Sequence, residues 1–152
     1  IKKITEASTV PVTLVQEQFI EAIRACDAAI VASGTASLQT ALALTPFVIV
    51  YRVSPLTFWI ARHLADTKYI GLVNVLAERE IVPEILQNDF TVSNITKAAV
   101  RLLQDEDYRA TMICQLKTTR SKLGEPGAYD KAALCIENTL LKVLTTERQK
   151  AK

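Results

Sequence analysis

Two runs of almost unbroken apolar residues, Ala28 to Ala32 and Phe47 to Tyr51, bound what this chain can fold into. Each has the length of a strand, and the lack of polar residues at alternate positions is what a strand covered on both faces requires. A third β-rich run, Val10 to Val15, precedes them, and a weaker one, Tyr69 to Val73, follows. The stretches between are long enough for a helix and are bounded by turn residues. Strand and helix therefore alternate, which implies a parallel sheet with right-handed crossovers and an α/β fold.

The helices are marked by their ends. Thr35 to Leu44 is rich in Ala and Leu, and Ser54 followed by Pro55 supplies an N-cap and a first-turn proline for a helix through Leu64. After Pro83 the pattern turns helical, over Pro83 to Gln87, Ser93 to Leu103 with Ser93 as cap, Asp107 to Leu123 stopped by Gly124, and Ala128 to about Leu144. In the last of these Ala132, Ala133, Ile136, Leu140 and Val143 recur at helical spacing and need a surface to bury against. The basic residues after Glu147 read as a frayed tail.

A length of 152 residues with 49% apolar side chains suits one domain with a buried core. The net charge of +2, with acids and bases interspersed, gives no broad field of the kind that gathers nucleic acid. Cys26, Cys114 and Cys135 are odd in number, widely spaced and set among apolar neighbours, which points to reduced core residues and a reducing compartment. The apolar run Ala41 to Tyr51 is broken by Thr45 and Pro46 and is too short to span a bilayer, so the chain reads as soluble or peripheral. It begins on Ile1 and enters a strand pattern at once, as a piece of a longer protein would.

The most informative stretch is Ala29 to Leu38, which runs from a buried strand through a turn of small residues into a helix. At the carboxyl end of a parallel strand, Gly34 lets the backbone approach a ligand, Ser33 and Thr35 offer hydroxyls, and the helix start offers unpaired N–H groups with a favourable dipole. These features suit a diphosphate; a plain strand-to-helix turn capped by Thr35 or Ser33 fits the same residues. No Lys follows the glycine as in a P-loop, and no further glycines make a dinucleotide fingerprint. An Asp-x-Asp motif and a His or Cys cluster are also missing, so neither a metal nor a cofactor is expected.

Several short strings then occur in a telling order: Cys26-Asp27-Ala28, Ser33-Gly34-Thr35-Ala36, Thr45-Pro46, the run Tyr51 to Ala61, Asn74-Val75-Leu76-Ala77, Arg79-Glu80 and Val82-Pro83-Glu84. In that order and spacing, over about Val12 to Leu141, the chain resembles the lipid-A-disaccharide synthase family. The resemblance implies the C-terminal half of a GT-B glycosyltransferase, with residues 1–146 a Rossmann-like UDP-sugar-binding domain with a helical C-terminus and 147–152 a disordered tail. It implies transfer from UDP-2,3-diacylglucosamine to 2,3-diacylglucosamine 1-phosphate, with inversion, giving lipid A disaccharide 1-phosphate and UDP. The general base is then expected in an N-terminal acceptor domain outside this chain, which by itself is expected to be inactive.

The site residues that follow from the resemblance are Ser33, Gly34, Thr35 and Ala36 at the diphosphate, Gln39 at the ribose, and Asn74, Arg79 and Glu80 near the carboxyl ends of the strands. A loop-stabilising Arg79–Glu80 ion pair is the alternative for the last two. Gln87 reads as a wall residue or a surface amide at a helix end. The chain departs from the family's pattern at Gln39, in place of an acidic residue, at Glu17, in place of a loop glycine, and at Glu78, in place of a small residue. Two added carboxylates near a diphosphate would repel it unless they point away.

Phe58, Trp59 and Ile60, with Arg52, Arg62, His63 and Lys68 nearby, form either a helix resting on an anionic bilayer or a core helix. His63 is the sole histidine and receives no role. The implied location is cytoplasmic, peripheral on the inner face of the inner membrane, with acylated substrates as partners, no nucleic acid, and a possible homodimer through the last helix. The competing readings are a non-catalytic nucleotide- or membrane-binding module and another GT-B UDP-sugar enzyme.

Overall fold

The computed structural model describes Thr5 and residues 8–54, 68–124 and 127–150, the last helix beyond 142 by its backbone alone. The expected helix from Ser54 to Leu64, with Phe58, Trp59, Ile60 and His63, falls mostly or wholly outside these residues. The chain divides into two units, Ile1–Lys122 and Leu123–Lys152.

The first unit holds α1 (Phe19–Arg24), β1 (Ala29–Ala32), α2 (Thr35–Ala43), β2 (Phe47–Tyr51), α3 (Leu72–Ala77), β3 (Glu84–Leu86), a 3-10 turn (Gln87–Asp89), α4 (Val92–Gln104) and α5 (Glu106–Ser121). The strands form a parallel sheet in the order β1-β2-β3, with Val31 opposite Ile49 and Ile49 opposite Glu84. The expected Rossmann-like α/β arrangement is present. In the central strand Phe47, Val48 and Ile49 are fully buried, and each such side chain removed from water contributes about 1.5–3 kcal/mol. β1 is different: Val31 is buried, but Ile30 and Ala32 are exposed, so the expected cover on both faces holds for β2 and not for β1.

Helices complete the core. α4 packs on β1 and β2, while α2, α3 and α5 pack on one another. Leu102 of α4 and Met112 and Leu116 of α5 join the buried cluster. Thr91 caps α4, its Oγ1 accepting from Asn94 N at 3.2 Å, and Asp105 caps α5 by accepting from Tyr108 N at 2.9 Å. The expected cap of α4, Ser93, lies inside the helix, because its start at Val92 puts Thr91 at the capping position.

Three expected elements are replaced. Val10 to Val15 forms no strand: Val10, Val12, Leu14 and Val15 are exposed, and the sheet offers this segment no ladder. Tyr69 to Val73 is not a strand either. There the chain lies across β2, where a Cβ at Gly71 would run into Ile49, and then enters α3. The missing strand is supplied by Glu84–Leu86, within the stretch expected to be helical. Pro83 fits just before it, since its carbonyl accepts from Ile49 N at 2.9 Å and the ladder asks nothing of its nitrogen. The cysteines are free, as expected, but all three are exposed and not in the core. Cys114 and Cys135 lie on helix surfaces and Cys26 just after α1, so apolar neighbours in sequence did not mark burial.

The second unit is α6, Ala128–Lys150, which runs past Leu144 into the stretch read as a tail. Leu134, Ile136, Leu140 and Leu141 are exposed on it. No helix among the described residues is long and apolar enough to cross a membrane.

Candidate functional site

The turn after β1 carries on from the sheet. Ser33 N donates to Val50 O at 3.1 Å, so the strand ladder extends one residue beyond Ala32 before the chain turns away. Gly34 then adopts φ 142° and ψ −159°, a conformation that suits glycine, and a Cβ built on it would meet nothing within 4 Å. The glycine is therefore demanded by the backbone and not by crowding, and the space beside it is open. Ser37 Oγ donates to Gly34 O at 2.6 Å and Thr40 Oγ1 to Ala36 O at 2.8 Å, and both hydroxyls are fully buried. These bonds lock the far side of the turn.

α2 begins without a side-chain cap, so neither Ser33 nor Thr35 plays the capping role that the sequence left open. The first-turn amides of a helix have no helical acceptor, and they point along the axis out of its amino end. Gly34 and Thr35 are exposed, and Ser33 and Ala36 partly so. Gln39, four residues after Thr35 and exposed, continues the same helix face away from the turn.

Asn74 faces inward. Its side chain is fully buried in α3. Oδ1 accepts from Ile81 N at 2.9 Å and Val82 N at 3.0 Å, and Nδ2 donates to Val82 O and Glu84 Oε1, both at 2.8 Å. All its hydrogen-bonding capacity is used within the protein, which leaves none for a phosphate or a sugar hydroxyl. Glu84, to which the sequence reading gave no role, also accepts from Ile70 N and Gly71 N at 2.9 Å each.

Arg79 and Glu80 are not brought to the turn. Arg120 reaches Leu42 O at 3.5 Å and Lys122 reaches Leu76 O at 3.3 Å, so the carboxyl ends of α2 and α3 lie together. α2 ends where β2 is about to begin. Arg79 and Glu80, just after α3, therefore sit at the amino edge of the sheet, opposite Ser33. Both are exposed, and the ion pair found among the described residues is Arg101–Asp105 at 3.3 Å.

The departures from the family pattern have a backbone meaning. Glu17 has φ 66° and Glu78 φ 58°, the left-handed region in which a side chain costs about 1–2 kcal/mol and glycine little. Glu78 ends α3, far from the turn. Glu17 precedes α1, whose other end meets Thr45 through Thr45 Oγ1 to Ile23 O at 2.9 Å, so it lies on the turn's side of the sheet.

At the carboxyl edge Arg52 escaped the sequence reading as part of a site, while Gln87 was read there as a wall residue or a surface amide. Arg52, exposed, directly follows β2 and stands one strand over from Gly34. Gln87 directly follows β3, and its amide grips Val53, accepting from Val53 N at 2.8 Å and donating to Val53 O at 3.1 Å. The signal for Arg52 was available, because a charged residue straight after a buried parallel strand falls at the ligand-binding edge.

Two depressions among the described residues lie on and beside α4. One of about 730 Å³ is lined by Lys97, Arg101, Asp105 and neighbours, and one of about 340 Å³ by Glu84, Asp89, Lys97, Tyr108 and others. Arg101, common to both, is already engaged: it pairs with Asp105 and lies 3.8 Å over the Tyr108 ring. The Tyr108 backbone N–H holds the Asp105 carboxyl below its usual range, with Arg101 adding to it against the effect of burial, while burial pushes the Tyr108 phenol up. This is a structural corner between α4 and α5. Among the described residues no cluster of His, Cys, Asp and Glu is placed to hold a metal.

The comparisons with known proteins agree on one family. A family model described as lipid-A-disaccharide synthetase matches residues 1–138. A lipid-A-disaccharide synthase of Pseudomonas putida is 43% identical over 119 residues, 78% of this chain and 32% of that protein. The enzyme of Syntrophotalea carbinolica is 37% identical over 138 residues, 91% of this chain and 35% of its own length. That of Myxococcus xanthus is 41% identical over 128 residues, 84% and 33% of the two chains. The chain thus spans about a third of the length of these relatives. With a match over most of its length, it belongs to the lipid-A-disaccharide synthetase family.

Proposed function

We propose that this chain is the donor-binding part of an inverting glycosyltransferase of lipid A biosynthesis, with GT-B architecture. The reaction joins UDP-2,3-diacylglucosamine to 2,3-diacylglucosamine 1-phosphate, forming lipid A disaccharide 1-phosphate and UDP. The observation that carries this reading is the uncapped, exposed start of α2 behind Gly34, at the carboxyl end of β1.

Breaking the bond between the sugar and the diphosphate puts negative charge on the departing UDP. Amides at Gly34, Thr35 and Ala36 and the hydroxyls of Ser33 and Thr35 are donors set in place beforehand, so they stabilise that charge with little reorganisation. Arg52 adds a cation from the neighbouring strand. Gln39 takes the ribose. Asn74 serves the site by holding the α3 loop, and Arg79 and Glu80 stay outside it. The base that removes the acceptor's proton belongs to the part of the relatives that this chain does not span, so the chain alone binds the donor without transferring it.

The acylated substrates place the enzyme on the inner face of the inner membrane, with Phe58, Trp59 and Ile60 as the candidate contact. The exposed apolar residues of α6 offer a surface for a homodimer. Calorimetric titration with UDP and with uridine tests the central step: UDP binds the chain at least about tenfold more tightly than uridine, because charge-assisted bonds to phosphate supply the difference. Equal affinity for the two, or no binding of UDP, contradicts it.

A further inference from the structure

The departing end at Val53, just after β2, and the returning end at Ile70, just before α3, are both held by side chains of one short stretch, Glu84 to Gln87. At the returning end the Glu84 carboxylate accepts three N–H groups at 2.8–2.9 Å, from Ile70, Gly71 and the buried Asn74 amide. A carboxylate that takes two successive backbone amides fixes the orientation of the peptide between them. Ile70 then passes this on to the turn, because its carbonyl faces Ser33 Oγ at 3.5 Å. At the departing end Gln87 grips both polar groups of Val53. Gln87 does so from φ 46°, a left-handed conformation unusual for a side-chain-bearing residue, which the two bonds offset.

We infer that Glu84 and Gln87 are positioning residues of the nucleotide site: Glu84 sets Ile70 against Ser33, and Gln87 sets Val53 beside the end of β2, where Arg52 stands. The inference rests on the reading of the Ser33 turn as the diphosphate site. It assigns to β3, which touches no ligand in that reading, the task of fixing the distance between the turn and the loops that face it.

The test uses the full chain, isotope-labelled, with UDP as the probe. Glu84→Gln keeps the length of the side chain and one acceptor oxygen but turns an NH₂ toward a donor. In the free variant the Ile70 and Gly71 amides exchange with solvent about tenfold faster and the Ser33 resonance shifts with them. UDP affinity falls about tenfold at a temperature where the variant is folded. Gln87→Ala releases Val53 in the same way and weakens UDP by about threefold. A residue that only supports the fold would lower the melting temperature and leave the affinity of the folded molecules unchanged, and that result overturns the inference. So does an unmoved Ser33 resonance when the Ile70 and Gly71 amides respond. If Glu84→Gln fails to fold, Gln87→Ala decides by the same measurements. If the unaltered chain binds no UDP, the functional reading fails by itself, while the shifts in the free variants still decide whether β3 sets the turn.

Discussion

Replacing Asn74 by alanine is expected to destabilise the chain by about 3–5 kcal/mol, the largest stability effect of any single polar substitution discussed above. The truncation leaves Ile81 N and Val82 N without their acceptor and takes a donor from both Val82 O and Glu84, all around a side chain that is fully buried. An unsatisfied buried group costs about 1–3 kcal/mol, and no water replaces the amide unless the cavity opens. Asn74→Asp keeps Oδ1 but sets a second carboxylate against Glu84, so it is expected to be as harmful as alanine. Urea denaturation measures both, and a loss below about 1 kcal/mol for either would mean that the network is not what holds the loop.

Gly34→Val is expected to weaken UDP binding by about thirtyfold or more while leaving the sheet intact. At φ 142° and ψ −159° a β-branched residue is excluded by its own backbone, at a cost of about 1–3 kcal/mol, so the turn must rotate and its amides with it. Crowding plays no part, because nothing lies within 4 Å of the added Cβ. Gly34→Ala separates the two effects: it adds little bulk yet meets the same backbone restriction, and it is expected to lose most of the same affinity. Calorimetry on folded protein reads the outcome. Retention of affinity within about threefold in Gly34→Val would show that the turn does not need its glycine.

The elements that could be read from the sequence are those whose local and tertiary preferences agree. β1, β2 and α2 fall where apolar runs and an Ala/Leu stretch put them, with boundaries off by a residue. The failures come where tertiary partners decide. Glu84–Leu86 is a strand only because the free edge of β2 accepts it, and no local pattern separates such a short piece from a helical turn. Val10 to Val15 has the alternation of a strand but no neighbour in the sheet, so its preference goes unused. The backbone geometry of the glycine turn was legible because a strand-to-helix turn of small residues with a positive φ is set locally by its glycine. The strut roles of Asn74, Glu84 and Gln87 were not, because their partners lie 7 to 34 residues away in sequence, and the same residue types serve equally as ligands or as struts. Glu17 and Glu78 show the converse: a departure noticed as a change of charge turns out to be a change of backbone freedom.

The most direct measurement follows the backbone amides of the labelled chain by NMR as UDP is added. Saturable shifts centred on Gly34, Thr35 and Ala36, spreading to Gln39 and Arg52, are the predicted result. Shifts confined to Lys97, Arg101 and the corner between α4 and α5, with Gly34 to Ala36 unmoved, would contradict the account.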